Sequence, residues 1–298
     1  MGKAPVSKDE YDESWIRSAW GSKRNDELLT GSALTVRPRM ERALSLSKLE
    51  PGLSVLDIAC GRGEFPLLAC TMGAHAVGVD FSDASIGFAR DLKNSRSDQD
   101  EGSLEFVQAD ACHLPFDDDS FDRITMLDII EHLVPEQLEQ MFLEVKRLLK
   151  SDGFAVIHTL PNRWVYDVTF PMLHRLSKKF PANPRGPIDS VIHVNEQDLP
   201  SLKRMLNSCG LKSSIWLEQH MAAQARWNSE NDTYGDNRDS IYPMLAGTKG
   251  RLLELASLTP AKLLLSNDIF GTLWKGPKPE KATRRLALTE RLTFGFSS

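Results

Sequence analysis

Short apolar runs separated by turn residues set the rhythm of residues 50–160. Val55-Leu56-Asp57-Ile58-Ala59 reads as a buried strand that enters the turn Cys60-Gly61-Arg62-Gly63. Val77-Gly78-Val79-Asp80 reads as a second short strand ending in an acid, and Glu105–Ala109 as a third, followed by Asp110. Ile124–Asp128 and Phe154–Leu160 are the fourth and fifth. Between the last two, Leu138, Met141, Phe142, Val145, Leu148 and Leu149 recur at helical spacing, which predicts an amphipathic helix over Val134–Lys150. Lys150-Ser151-Asp152-Gly153 is expected to close that helix with a turn.

The flanks follow other patterns. Tyr11, Trp15, Ile16 and Trp20 lie at nearly helical intervals, and residues 41–49 predict another helix before Pro51-Gly52. Prolines 161, 171, 181, 184 and 187 argue against a continuous helix over 161–195. That stretch leaves the end of strand five, on the side of an α/β sheet where ligands bind, so it is well placed as a substrate lid. Arg163, Arg175, Lys178, Lys179 and Arg185 would suit an acidic substrate, or are solvated loop charges. Glu196–Cys209 predicts a helix ended by Gly210, and Leu211–Glu218 a sixth strand. About fifty residues then precede the candidate seventh strand, Asn267–Lys275. They hold a polar loop, Asn228–Asp239, and an apolar helical run at Leu252, Leu253, Leu255, Leu263, Leu264 and Leu265. This run would cap the substrate site, form a dimer contact or touch a membrane; its lack of a strong basic face favours the first two. A basic tail follows Pro277.

The glycine turn carries the first chemical signal. Gly61 and Gly63 permit a tight turn and close approach to a ligand. Asp80 follows Gly61 by nineteen positions, near the spacing at which an acid meets a ribose hydroxyl in βαβ units. A nucleoside-containing cofactor is implied. Pro66 occupies the third glycine position of a dinucleotide fingerprint, and no G-x-x-x-x-G-K-[ST] phosphate loop is present, so neither phosphate-binding motif is complete.

The string D-I-A-C-G-R-G-E at 57–64 resembles motif I of the class I S-adenosylmethionine-dependent methyltransferases, D/E-x-G/A-x-G-x-G. The stretch 110–122, with D-A, L-P-F and S-F-D, and Glu131-His132-Leu133 after strand four are similar to further motifs of that superfamily, in the same order. The resemblance covers roughly residues 50–160. It implies an α/β, Rossmann-like class I methyltransferase sheet, mostly parallel with an antiparallel last strand. N-terminal helices, the lid after strand five and the helical insert before strand seven would be additions to it. The implied organisation is a helical cap (1–50), a cofactor-binding core (51–160), the lid (161–195), the rest of the domain with its insert (196–275) and a tail (276–298). The implied cofactor is S-adenosylmethionine, held by Asp57, Ala59, Gly61, Gly63, Asp80, Phe81, Asp110, Ala111 and Leu127. In the family the acid matching Asp110 bonds the adenine amino group.

Composition narrows the function classes. The net charge is −5, without a long basic run or an appended nucleic-acid module. No apolar stretch is long enough to span a bilayer, the N-terminus lacks a signal-peptide core, and Cys60, Cys70, Cys112 and Cys209 show no C-x-x-C pairing. A cytoplasmic enzyme with reduced thiols is expected. Cys60 reads as a small space-filling side chain. The seven histidines show no H-x-H or H-x-x-x-H pair, so no metal site is expected.

Methyl transfer is an in-line displacement at an activated carbon, and the protein mainly aligns the reacting atoms. A hydroxyl acceptor also benefits from a base near neutral pH. His193, where the lid returns in an H-x-N string like that of some bacterial small-molecule methyltransferases, is the first candidate, and His132 the second. His158, inside strand five, reads as a core histidine. Trp15, Trp20, Asp128, Asn162, Trp164 and Tyr166 are candidates to line the acceptor; Asp128 and Glu131 would orient it or hold a histidine tautomer. The acceptor is expected to be a small molecule (natural product, sugar or lipid-like), with oxygen favoured over nitrogen or carbon. Protein or RNA methylation and a non-catalytic cofactor-fold scaffold are the alternatives, and a homodimer is possible.

Overall fold

The structure is a computed structural model that describes residues 4–20, 25–26, 28–29, 36–95, 102–230 and 245–282. Seven strands form one sheet: β1 (Ser54–Ile58), β2 (His75–Asp80), β3 (Ser103–Gln108), β4 (Phe121–Leu127), β5 (Leu149–Thr159), β6 (Lys212–Glu218) and β7 (Asp268–Trp274). Their order is β3-β2-β1-β4-β5-β7-β6. The first five pair in parallel, and β7 runs antiparallel between β5 and β6. The expected Rossmann-like methyltransferase sheet is therefore present. Val55, Leu56, Ile58, Ile124, Met126, Ala155, Val156 and Ile157 are fully buried, because helices cover both faces of the sheet.

Helices α1 (Glu13–Trp20), α2 (Pro38–Ser47), α3 (Glu64–Thr71) and α4 (Asp83–Asn94) precede β3 in the chain. Ala43 and Leu46 of α2, Phe65 and Leu67 of α3, and Ile86 and Ala89 of α4 join one core layer. Helices α5 (Pro135–Leu148) and α8 (Leu199–Ser208) build the other, through Leu138, Met141, Phe142, Val145, Leu202 and Leu206. Proline sits in the first turn of α5, where its missing N–H costs nothing. Asp198 caps α8, and Gly210, at φ +70°, follows its end as predicted.

The turn expected at 150–153 is not there. The chain passes from α5 straight into β5 at Leu149, and the pairing with β4 shifts between Phe121↔Leu149 and Arg123↔Phe154. Lys150 Nζ bonds Asp122 Oδ2 at 2.8 Å, and a Cβ on Gly153 would meet the Asp122 carbonyl at 2.9 Å. The polar residues read as a turn thus form a bulge near the start of the strand, opposite Asp122.

Residues 161–195 are broken as the prolines require, into a π-helical turn (Val165–Thr169), α6 (Phe170–Leu176) and α7 (Pro187–Ile192). The insert supplies α9 (Met221–Glu230), α10 (Thr248–Ala256) and α11 (Lys262–Leu265). Most of the polar loop read at 228–239 lies outside the described residues. Thr169 Oγ1 donates to the Leu264 carbonyl at 2.6 Å, so the two additions are tied together. No described helix is long and apolar enough to cross a membrane.

Candidate active site

The connections that follow the five parallel strands leave from one edge of the sheet, the C-terminal edge. After β1, Ala59 (φ +59°), Gly61 (+53°) and Gly63 (+81°) alternate in the left-handed region, which bends the chain tightly and turns Gly61 N–H toward β2. Asp80 Oδ2 accepts from Gly61 N at 3.0 Å, and its Oδ1 from Ser82 N at 2.9 Å. Burial pushes this carboxyl upward, and the backbone donors pull it back. Gly63 answers to packing: a Cβ there would lie 2.5 Å from Phe106 and 3.1 Å from Ala89. It does the close-packing work that the dinucleotide fingerprint assigns to its third glycine. Cys60 fills space as expected, with Sγ 2.8 Å from where a Cβ on Gly78 would stand.

Asp57 lies beneath the turn, and Thr125 Oγ1 donates to it at 2.5 Å. Burial raises its carboxyl to about 7. Phe81 leaves 38% of its surface exposed at the rim. Asp110 is exposed, with its Oδ1 accepting from Cys112 N at 2.9 Å. Ala111 and Leu127 are half-buried nearby in the chain's path along the same edge. An acid fixed on the glycine turn, an uncovered aromatic edge and an open second acid fit the ribose, the ring and the amino group of a nucleoside.

A second cluster forms where β4 and β5 end. Glu131 is buried, and its Oε2 accepts from Thr159 Oγ1 at 2.7 Å. Burial, with Asp128 adding, raises Glu131 to about 8. His132 Nε2 stands 3.9 Å from Glu131 Oε1. His132 Nδ1 lies 2.9 Å from the Tyr11 hydroxyl and 3.2 Å from the Ile192 carbonyl. A carbonyl only accepts, so Nδ1 carries the proton and Nε2 the lone pair. Burial, then His193, lowers His132 to about 4, which keeps the imidazole neutral. The His132 and His193 rings lie 5.0 Å apart, edge to face. The two histidines proposed to act on the acceptor are therefore neighbours, although sixty-one positions separate them. Backbone holds this arrangement too, since Asn195 N donates to the Glu131 carbonyl at 3.0 Å.

His158 is buried as predicted, yet it is no ordinary core residue. Its Nδ1 bonds Asp128, and its Nε2 meets Asp268 Oδ1 at 3.0 Å. Burial opposes its charge, but the two carboxylates outweigh it and lift the imidazole to about 9. Asp128 adopts φ +62° and also pairs with Arg39 at 3.2 Å. Burial is overcome there by Arg39 and His158, which hold the carboxyl well below the usual range. Asp128 thus holds a histidine, one of the two roles foreseen for it.

Other acceptor candidates are placed differently. Asn162 is buried and donates to the Ser266 carbonyl at 3.0 Å, while its Oδ1 receives Trp164 N at 3.3 Å. Tyr166 packs with Val165 and Phe170, under the Arg185 guanidinium at 5.2 Å. Both side chains thus take partners within the two additions. Two of the five basic residues of the 161–195 segment are in ion pairs: Arg163 with Asp198, and Arg185 with Glu196 and Asp167. Trp164 is half-buried beside them. Trp15 stacks edge-on against Tyr11 at 4.9 Å. The Trp20 side chain lies outside the described residues.

Tyr11 is the residue that the sequence did not single out for the site. Its ring meets Phe81 at 5.5 Å and His132 at 5.9 Å, and its carbonyl accepts from Ser82 Oγ at 2.7 Å. It joins the nucleoside edge to the histidine cluster. Only its place in an amphipathic aromatic run hinted at burial, and Ser82 and His132, to which it hydrogen-bonds, are more than seventy positions away.

Residues 56–157 match the family model described as a methyltransferase domain. Residues 56–157 thus form a methyltransferase domain of the class I S-adenosylmethionine-dependent kind. The chain is 37% identical over 106 residues to demethylmenaquinone methyltransferase of Clavibacter sepedonicus, covering 36% of this chain and 40% of that protein. It is 32% identical over 180 residues to 24-methylenesterol C-methyltransferase 2 of Arabidopsis thaliana, covering 60% of this chain and 45% of the relative. The chain thus matches less than half the length of either relative. In fold it resembles phosphoethanolamine N-methyltransferase 2 of Haemonchus contortus in complex with S-adenosyl-L-methionine, with a TM-score of 0.60 at 18% identity, over 93% of this chain and 61% of that one.

Proposed function

We propose that this chain transfers a methyl group from S-adenosylmethionine to a small, lipid-like acceptor, at oxygen. Gly61, Asp80, Phe81, Asp110, Ala111 and Leu127 would hold the cofactor along the C-terminal edge of β1, β2, β3 and β4. Bound there, it supplies a methyl group activated by the sulfonium. The chain's own part is alignment. Tyr11 closes the cleft over Phe81 and Ser82, and His132 and His193 meet the acceptor atom beyond it. The observation that carries this reading is the Tyr11–His132 contact at 2.9 Å, because it makes the nucleoside edge and the polar cluster two walls of one site. The relatives named for menaquinone and sterol substrates support a lipid-like acceptor. Residues 4–20 act as a cap and residues 161–195 as the acceptor-side cover.

Calorimetric titration tests the cofactor half: saturable binding of S-adenosylmethionine and S-adenosylhomocysteine is expected, and weak binding of NAD. Release of S-adenosylhomocysteine with quinol, sterol and polyhydroxylated acceptors tests the other half. Tight NAD binding with no response to S-adenosylmethionine would overturn the reading.

A further inference from the structure

Glu131, His132 and His193 bring one carboxylate and two imidazoles to a single point at the edge of the sheet. One ligand atom from each lies within 4.8 Å of the others. Metal–nitrogen and metal–oxygen bonds of roughly 2.0–2.2 Å set a comparable span between ligands on opposite sides of one ion. The absence of short histidine spacings argued against a metal site, but that argument concerns local motifs. Here the fold joins Glu131 and His132 to a histidine from the far end of the 161–195 segment.

The supporting contacts are those that a metal site needs. A ligating imidazole donates its other N–H to a carbonyl or carboxylate, and His132 Nδ1 has the Ile192 carbonyl at 3.2 Å. A ligating carboxylate is steadied through its second oxygen, and Thr159 Oγ1 holds Glu131 Oε2 at 2.7 Å, with Oε1 on the side of His132 Nε2. Glu131 is 1% exposed, so its negative form lacks water to stabilise it. No lysine or arginine ion pair to Glu131 occurs among the described residues. A bound cation would supply the missing charge.

We propose that Glu131, His132 and His193 bind one divalent transition-metal ion. Two imidazole nitrogens favour manganese-to-zinc chemistry over magnesium or calcium, which prefer all-oxygen sites. Three protein ligands leave coordination positions open, as in catalytic rather than structural sites. On the methyl-transfer reading, on which this role rests, an acceptor hydroxyl would occupy an open position, where a cation lowers its pKa. The two neighbouring histidines then serve as ligands, and acceptor activation falls to the ion.

The experiment is titration of the chelator-stripped full chain with Co²⁺ and with Mg²⁺, followed by calorimetry and visible absorption. One equivalent of Co²⁺ should bind with ligand-field bands, and Mg²⁺ should not compete. His193→Ala and Glu131→Gln should each weaken Co²⁺ binding at least tenfold. Thr159→Val should weaken it by about 10–100-fold through the lost support. S-adenosylhomocysteine affinity, measured in parallel, reports whether each variant is folded. A chain that binds S-adenosylhomocysteine but takes up no Co²⁺ sinks the metal site and leaves the methyltransferase reading standing. Co²⁺ uptake unchanged in folded His193→Ala and Glu131→Gln also refutes it. Failure to bind S-adenosylhomocysteine sinks the methyltransferase reading instead.

Discussion

The nucleoside edge and the acceptor cluster are built on opposite plans. The first is mostly backbone from consecutive βα turns: Ala59, Gly61 and Gly63 set its shape, and Asp80 is fixed by two main-chain donors. The second is mostly side chains gathered from distant segments: Tyr11, Arg39, Glu131, His158, His193 and Asp268. A backbone site tolerates change outside its turns. A side-chain site depends on every segment that docks onto it, and it stores charge in low dielectric, where each lost partner is expensive. The first plan suits a cofactor that never changes, the second an acceptor that differs between relatives.

The sharpest way to break the acceptor half is His158→Ala. It leaves Asp128 and Asp268 facing each other without the imidazolium, and the loss of one partner from a buried charged set typically costs about 3–5 kcal/mol. The pH dependence has a definite sign. The folded pKa, about 9, lies above the ordinary value, so the stabilisation is complete below about pH 6.5 and fades as pH rises through 9. Urea denaturation of wild type and variant should show a wide gap at pH 6 that narrows by pH 9.5. A gap that is constant or widens would mean that His158 is not charged in the fold.

Asp80→Ala is the matching test of the nucleoside half. Charge-assisted hydrogen bonds to ribose hydroxyls are worth about 1.5–3 kcal/mol each, which predicts at least a tenfold rise in the Kd for S-adenosylhomocysteine. Part of the loss should also appear as a modest fall in Tm, since Gly61 and Ser82 lose their acceptor. An unchanged Kd in the folded variant removes Asp80 from the cofactor site.

Tyr11→Phe probes the seam between the halves and should have the smallest effect. It deletes one hydrogen bond and keeps the ring against Phe81. A net loss of about 0.5–1.5 kcal/mol predicts a several-fold fall in kcat with the S-adenosylhomocysteine Kd nearly constant. If the Kd rises while kcat holds, Tyr11 belongs to the cofactor half alone.

The nucleoside edge was legible in the sequence because its determinants are local. Strand periodicity, glycines where φ turns positive and an acid at a fixed spacing all survive without knowledge of the fold. The same locality misled at Lys150–Gly153, where turn-forming residues bulge within β5 between the positions that pair with Phe121 and Arg123 of β4. Nor does it show the partners that Asn162 and Tyr166 find within the additions.

What the sequence determined by itself was the sheet, its order of motifs and the turn that faces a nucleoside, since these follow from side-chain period and backbone sterics. Tertiary structure alone decided the rest. It set Tyr11 against His132, placed His193 beside Glu131, and made His158 a cation between two carboxylates. Those contacts span 30 to 121 positions, and no local preference encodes a distance between segments that meet only when the core has packed.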